Sequence, residues 1–262
     1  MSMPIGRIAG VSGALIALSL HASEAPEPQA TGQLPSVLPV AVDNSTTIWF
    51  PPVRSQGSLG SCVFFSQTYY TMSYLVNQSL NRDGRDPADN TTKMSPLFTF
   101  NISNAGGNSG GSDTTGFKVM AKYGAPTWAE FPYTSNYKIL PTTAAIWRSA
   151  LRHRIGQIGQ VSGMNTAQGR EMAKRILAGG NLLNYSTYID AWKGESMKTL
   201  RDNPASALDD GIVGNRVVIF THEIGGGPHA MTIVGYNDHA WSDINANGSV
   251  DEGELGAFKV VN

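Results

Sequence analysis

The chain has 262 residues, 19 Lys and Arg against 20 Asp and Glu, and a formal net charge of −1. That length suits one large domain or two lobes sharing a cleft, and its ordinary apolar fraction of 41% allows a sizeable core. With no basic run and no long apolar span, neither nucleic acid nor a membrane is indicated as a partner.

Arg7 followed by the apolar stretch Ile8 to Leu20 reads as a signal for export, ending at Ala22 or Ala25. Export implies a secreted or periplasmic protein. The segment is too short and too glycine-rich to span a bilayer. Residues 23–45, rich in Pro, Ala, Glu and Gln, read as a linker. The folded domain is expected over 46–262, with a helical lobe to about 153 and a β-rich lobe from about 154.

Cys62 to Val76 is predicted helical, because Phe65, Tyr69, Met72 and Val76 recur at spacings of three and four. Ser95-Pro96 predicts an N-cap and first turn for a short helix to about Asn104. A glycine- and serine-rich loop follows, then helices over Thr115–Tyr123, stopped by Gly124, and Ala144–Arg152. The second half changes character. Strands are expected at 155–161, 181–186, 217–221, 230–236 and 257–261, with one helix over 167–178 that Gly179-Gly180 ends. Helices first and strands second predict an α+β fold in two lobes. No internal repeat is present, and a monomer is expected.

Cys62 is the only cysteine. It cannot form an intrachain disulfide, although export commonly brings disulfides. It sits where a glycine-rich loop meets a helix, and partial positive charge there favours the thiolate. A cysteine nucleophile needs a base, and histidine suits neutral pH. Among five histidines, His21 falls in the export signal and His153 between two arginines on an expected surface helix. His222 and His239 fall in polar loops. His229 opens a predicted strand, which places it only slightly ahead on position alone.

Three blocks together carry a resemblance. These are Gln56 to Phe65 (QGSLGSCVFF), Gly227-Pro228-His229-Ala230 to Tyr236, and Phe258-Lys259-Val260-Val261-Asn262. In that order they resemble the cysteine, histidine and asparagine blocks of papain-family cysteine peptidases. Met94-Ser95-Pro96 and Ser109-Gly110-Gly111-Ser112 resemble two further family segments. The resemblance implies a papain-like fold with a β-barrel-like second lobe, and an endopeptidase acting on protein or peptide substrates without a catalytic cofactor. It implies Cys62 as nucleophile, His229 as its proton partner, Asn262 as the orienting amide and Gln56 as an oxyanion donor. Gly110 and Gly111 would let substrate backbone approach. Leu59 and Val63 depart from the family's Cys-Gly-Ser-Cys-aromatic pattern, and no long helical pro-segment precedes the domain. The family continues past its asparagine into Ser-Trp-Gly and a final strand pair, so the chain is expected to be C-terminally truncated. A catalytically silent, peptide-binding relative and a cell-wall amide hydrolase are the competing readings.

A second motif runs from Asp243 to Glu254. Asp243, Asn245, Asn247, Ser249, Asp251 and Glu254 occupy the ligand positions of a twelve-residue calcium loop, with Gly248 at its sharp turn. Strand-like flanks predict a calcium loop inside a hairpin rather than a helix–loop–helix sensor, and a structural Ca2+ is expected there. It would rigidify the connection between His229 and Asn262.

Overall fold

The computed structural model describes residues 14–17, 20–21, 34–189, 197–219 and 227–262. The expected first helix is present, but it is not uniformly α-helical. It is α-helical over Cys62–Phe64, π-helical over Phe65–Met72, and α-helical again over Ser73–Ser79. This central helix is buried nearly all round, and Phe65, Tyr69, Met72 and Val76 join one core with Phe117, Met120, Leu182 and Val234. Each such side chain, removed from water, contributes roughly 2–3 kcal/mol before entropy is counted.

Punctuation residues set the other helices. Ser95 accepts a hydrogen bond from the Phe98 N–H and Pro96 opens the helix Pro96–Ser103. Gly124, at φ +72°, ends Thr115–Tyr123, and a Cβ there would lie 1.8 Å from the Ala150 carbonyl oxygen. Helix Ala144–Arg152 follows, with Ala150 buried against Phe98 and Phe100. Thr166 caps Ala167–Ala178 through the Gly169 N–H, and Gly179-Gly180 terminates that helix.

The strands are β1 (Ala14–Ala17), β2 (Leu20–His21), β3 (Ala41–Asp43), β4 (Arg154–Ile155), β5 (Ile158–Val161), β6 (Leu183–Tyr188), β7 (Met197–Thr199), β8 (Arg216–Val218), β9 (Pro228–Trp241) and β10 (Leu255–Val261). The principal sheet runs β10-β9-β6-β1-β5, with β3 also paired to β9. Its path is open: among the described residues it does not close into the barrel expected of the second lobe. The strand expected over 155–161 is broken into β4 and β5.

The N-terminal regions carry more structure than their composition indicates. β1 and β2 lie in the stretch read as an export signal, and β1 pairs antiparallel with β5 and β6. β3 lies in the stretch read as a linker and pairs with β9 at Asn237, Tyr236 and Gly235. Its approach is close, since a Cβ on Gly235 would sit 2.1 Å from the Val42 carbonyl oxygen. Asn44, just beyond β3, donates to the carbonyls of Leu177 (2.9 Å) and Asn181 (3.0 Å), tying this segment to the end of a helix.

Central helix and sheet meet through a buried polar cluster. Ser66 Oγ donates to the Met231 carbonyl at 2.8 Å. The Asn184 carboxamide N–H groups reach Ser66 O (3.0 Å), Thr71 Oγ1 (3.0 Å) and Thr232 Oγ1 (3.2 Å). These groups are shut from water, so each one satisfied here avoids a desolvation penalty of about 1–3 kcal/mol. The cluster fixes the helix that begins with Cys62 against the strand that carries His229.

Candidate active site

Cys62 is the first residue of the central helix and is half-buried. The loop before it is drawn against residues 108–110. The Gly60 N–H donates to Asn108 Oδ1 at 2.7 Å, and a Cβ on Gly60 would come within 3.1 Å of backbone atoms of Asn108 and Gly110. Ser61 offers its carbonyl to the N–H groups of Phe64 and Phe65 at 3.0 and 2.9 Å. The thiol therefore stands at the helix's positive end.

His229 lies at the start of β9, opposite Thr187 of β6. Asn262 directly follows β10, whose last residue, Val261, pairs with Thr232. Antiparallel pairing thus returns the chain's last residue to the histidine. His229 Nε2 and Asn262 Oδ1 are 2.5 Å apart. The ring's other nitrogen is left for Cys62, with which His229 is hydrogen-bonded.

The two ionisations move toward each other. Burial pushes the Cys62 thiol up, but hydrogen bonds from His229 and the Ala230 backbone, the His229 charge, and the Val63 N–H outweigh it, leaving the thiol below its ordinary value. The Cys62 hydrogen bond raises His229, burial opposes it, and Asn262 and the Cys62 charge raise it further; the net is above the ordinary imidazole value. Both shifts favour thiolate with imidazolium.

A cleft of about 430 Å³ opens over these groups, lined among others by Arg54, Gln56, Cys62, Tyr70, His229 and Asn262. Gln56 directs one amide N–H to the Leu59 carbonyl at 2.9 Å, leaving the other for a ligand. Tyr133 donates to the Gln56 carbonyl at 2.8 Å, and its hydroxyl lies 2.6 Å from Ser61 Oγ. Gly110 and Gly111 are not among the residues lining the cleft; they pack beside its helix, where a Cβ on Gly111 would meet the Phe64 ring at 3.0 Å. The structure thus brings Cys62, His229, Asn262 and Gln56 together, with Gly110 beside Gly60.

Two residues escaped the sequence reading. Tyr70 Oη donates to the Asn262 backbone carbonyl at 3.2 Å, and Tyr133 braces the loop that carries Gln56 and Ser61. Tyr70 and Asn262 are 192 residues apart, so no local signal connects them. Tyr70 sits in the central helix beside predicted core residues, where an aromatic reads as packing. Of the other histidines, His153 and His239 are not among the residues lining the cleft. His153 caps the largely exposed helix Ala144–Arg152 and is half-buried, with Nδ1 3.2 Å from the Ala125 carbonyl. His239 meets Ser206 Oγ at 2.5 Å, and His222 lies outside the described residues. A larger, mainly apolar cavity of about 670 Å³ lies along β9 and β10 and includes none of the cleft's groups.

The loop from Asp243 to Glu254 is closed by its own donors. Asp243 accepts from the N–H groups of Asn247 (3.0 Å) and Gly248 (3.1 Å), and pairs with Arg201 at 2.5 Å. Glu254 accepts from the backbone of Ile244 (2.7 Å), Asn245 (3.2 Å) and Asp251 (3.2 Å), and from Trp241 Nε1 (3.2 Å). Asn245 and Asn247 both donate to Asp251 at 2.7 Å and hold its carboxyl below the usual range. The Ser249 N–H turns back to Asn247 Oδ1 at 2.8 Å. In donor type and order these residues fit a hard cation. Their three carboxylates do not converge on a common point, and Arg201 holds the place beside Asp243.

No protein-family model matches the sequence, and no curated protein matches it. Solved structures do. Xylellain, a cysteine protease from Xylella fastidiosa, superposes with a TM-score of 0.53 at 18% identity, over 98% of this chain and 89% of that one. A recombinant stem bromelain precursor gives 0.51 at 14% identity, over 94% and 66%. The bromelain protease from Ananas comosus, bound to the E64 inhibitor, gives 0.50 at 14%, over 86% and 83%. The chain has the fold of the papain-like cysteine proteases. No described helix is long and apolar enough to cross a membrane.

Proposed function

We propose that this protein is an exported cysteine peptidase that cleaves peptide bonds through a thioester on Cys62. The single observation carrying the reading is His229 held between Cys62 and Asn262 Oδ1. In the first step the Cys62 thiolate adds to the scissile carbonyl carbon. The carbonyl oxygen takes the negative charge and faces the free Gln56 amide N–H and the Cys62 N–H. His229 passes its proton to the leaving amine as the C–N bond breaks. Water then attacks the thioester, His229 accepts its proton, and the thiol leaves as thiolate. Asn262 accepts a hydrogen bond from the imidazole and keeps the ring aimed at sulfur through both steps.

The test is covalent labelling by an epoxysuccinyl inhibitor. Stoichiometric labelling of Cys62 much faster than of free cysteine, abolished in His229→Ala, is expected. Labelling at the free-cysteine rate would instead mark a silent, peptide-binding relative.

Export is part of the proposal and rests on the Arg7 and Ile8–Leu20 pattern. A structural calcium ion in loop 243–254 rests on the residue pattern. Calcium there would displace Arg201 from Asp243 and draw Glu254 away from its backbone donors. Glu254→Gln would then lower calcium affinity.

A further inference from the structure

Three carboxylates outside the calcium-type loop converge. Asp202, Asp209 and Asp210 each place a carboxylate oxygen within 4.8 Å of the other two. They belong to the loop between β7 and β8, where no ligand-spacing motif occurs. Among the described residues no lysine or arginine forms an ion pair with any of them, because the neighbouring Arg201 is turned onto Asp243. Three negative charges at that spacing repel strongly unless a positive charge lies among them.

A second observation is independent of the clustering. Asp209 is 1% exposed. Its Oδ2 accepts the Asn203 N–H at 2.9 Å, while its Oδ1 is shut from solvent and accepts no hydrogen bond. A buried carboxylate oxygen with no partner is costly, and one beside two further carboxylates is more so. The surrounding loop is firmly built. Asn203 donates to the His239 carbonyl at 3.3 Å, the Leu208 carbonyl accepts from Asn237 Nδ2 at 2.8 Å, and the Asp209 carbonyl accepts the Ile212 N–H at 2.9 Å. The unpartnered oxygen is therefore held in place by contacts to β9.

We propose that Asp202, Asp209 and Asp210 bind a hard divalent cation of the calcium type. All-oxygen carboxylate donors with two exposed members suit an ion that keeps some water and tolerates irregular geometry. Asp209 supplies the preformed buried ligand, and Asp202 and Asp210 close over the ion from the solvent side. The ion would staple the loop across residues 202–210 and press it on β9, at the end of that strand remote from His229. This site is separate from the calcium-type loop and from the peptidase reading.

Calorimetric titration of the full chain with CaCl2, paired with thermal unfolding, tests the assignment. Asp209→Asn keeps the Asn203 hydrogen bond and removes the charge. Asp210→Asn alters an exposed residue and guards against misfolding of the first variant. The wild type should gain about 5–10 °C in Tm at free calcium a hundredfold above Kd. Each variant should lose one bound equivalent and the associated shift, whereas Glu254→Gln should retain them. Calcium binding unchanged in both aspartate variants would overturn the proposal. So would the absence of any binding by the wild type at millimolar calcium, or loss of all binding in Glu254→Gln.

Discussion

Tyr70→Phe isolates one hydroxyl that joins the two sides of the cleft. The ring is buried and stacks on Phe50 with centroids 5.7 Å apart and planes 8° from parallel, so phenylalanine should fit the same space. The hydroxyl donates to the Asn262 carbonyl at 3.2 Å and receives the Arg54 N–H at 3.4 Å. Arg54 lies two residues before Gln56, so this contact links the loop carrying Gln56 to Asn262. Both bonds are long and neutral, which puts each at the low end of the usual 0.5–1.5 kcal/mol, or about 1 kcal/mol together. Part of that loss should appear as stability. If Asn262 depends on the tether for its aim at His229, up to about 1 kcal/mol should also appear as a fall of up to roughly fivefold in kcat/KM. The assay is peptide hydrolysis across pH alongside urea unfolding. The alkaline limb should move to lower pH, since a loosened Asn262 supports the imidazolium less well. A variant that loses stability but keeps kcat/KM and an unshifted pH profile would show that Tyr70 only packs.

Further consequences follow from the same contacts. Activity should trace a bell in pH, with its acid limb below the ordinary thiol value and its alkaline limb above the ordinary imidazole value. Cys62 is lowered and His229 raised, so both shifts move the pair toward thiolate with imidazolium; kcat/KM across pH measures it. Asn184→Leu should cost about 3 kcal/mol in urea unfolding, because it strips donors from the buried Ser66, Thr71 and Thr232. Gly235→Ala should cost about 1–3 kcal/mol by the same measurement and loosen β3, since its Cβ would collide with the Val42 carbonyl.

Local chemistry made several helix boundaries readable. Ser95-Pro96, Gly124 and Gly179-Gly180 act within one turn of where they stand, and the helices end where they do. The ordered blocks around Cys62, His229 and Asn262 likewise named the groups that meet in the cleft. What escaped depends on distant partners. β3 is three residues long and becomes a strand only because Gly235 lets it approach β9. β9 runs fourteen residues because its neighbours change along it, from β6 to β3, with β10 opposite. The convergence of Asp202 with Asp209 and Asp210 requires a folded loop, and their spacing matches no ligand motif. Positional preference among the histidines was weak, because the evidence for His229 lies in Asn262, at the far end of a hairpin.

The π-helical stretch Phe65–Met72 carries about one more residue per turn than an α-helix and begins three residues after the proposed nucleophile. The wider winding absorbs the additional residue, so Tyr74, Leu75 and Val76 keep their places in the core they share with Phe50 and Met94. Residue count and facing are thereby uncoupled in this stretch. An alignment that matches Cys62 to a conventional α-helix would slip out of phase within two turns, so comparison across this helix has to follow burial rather than count.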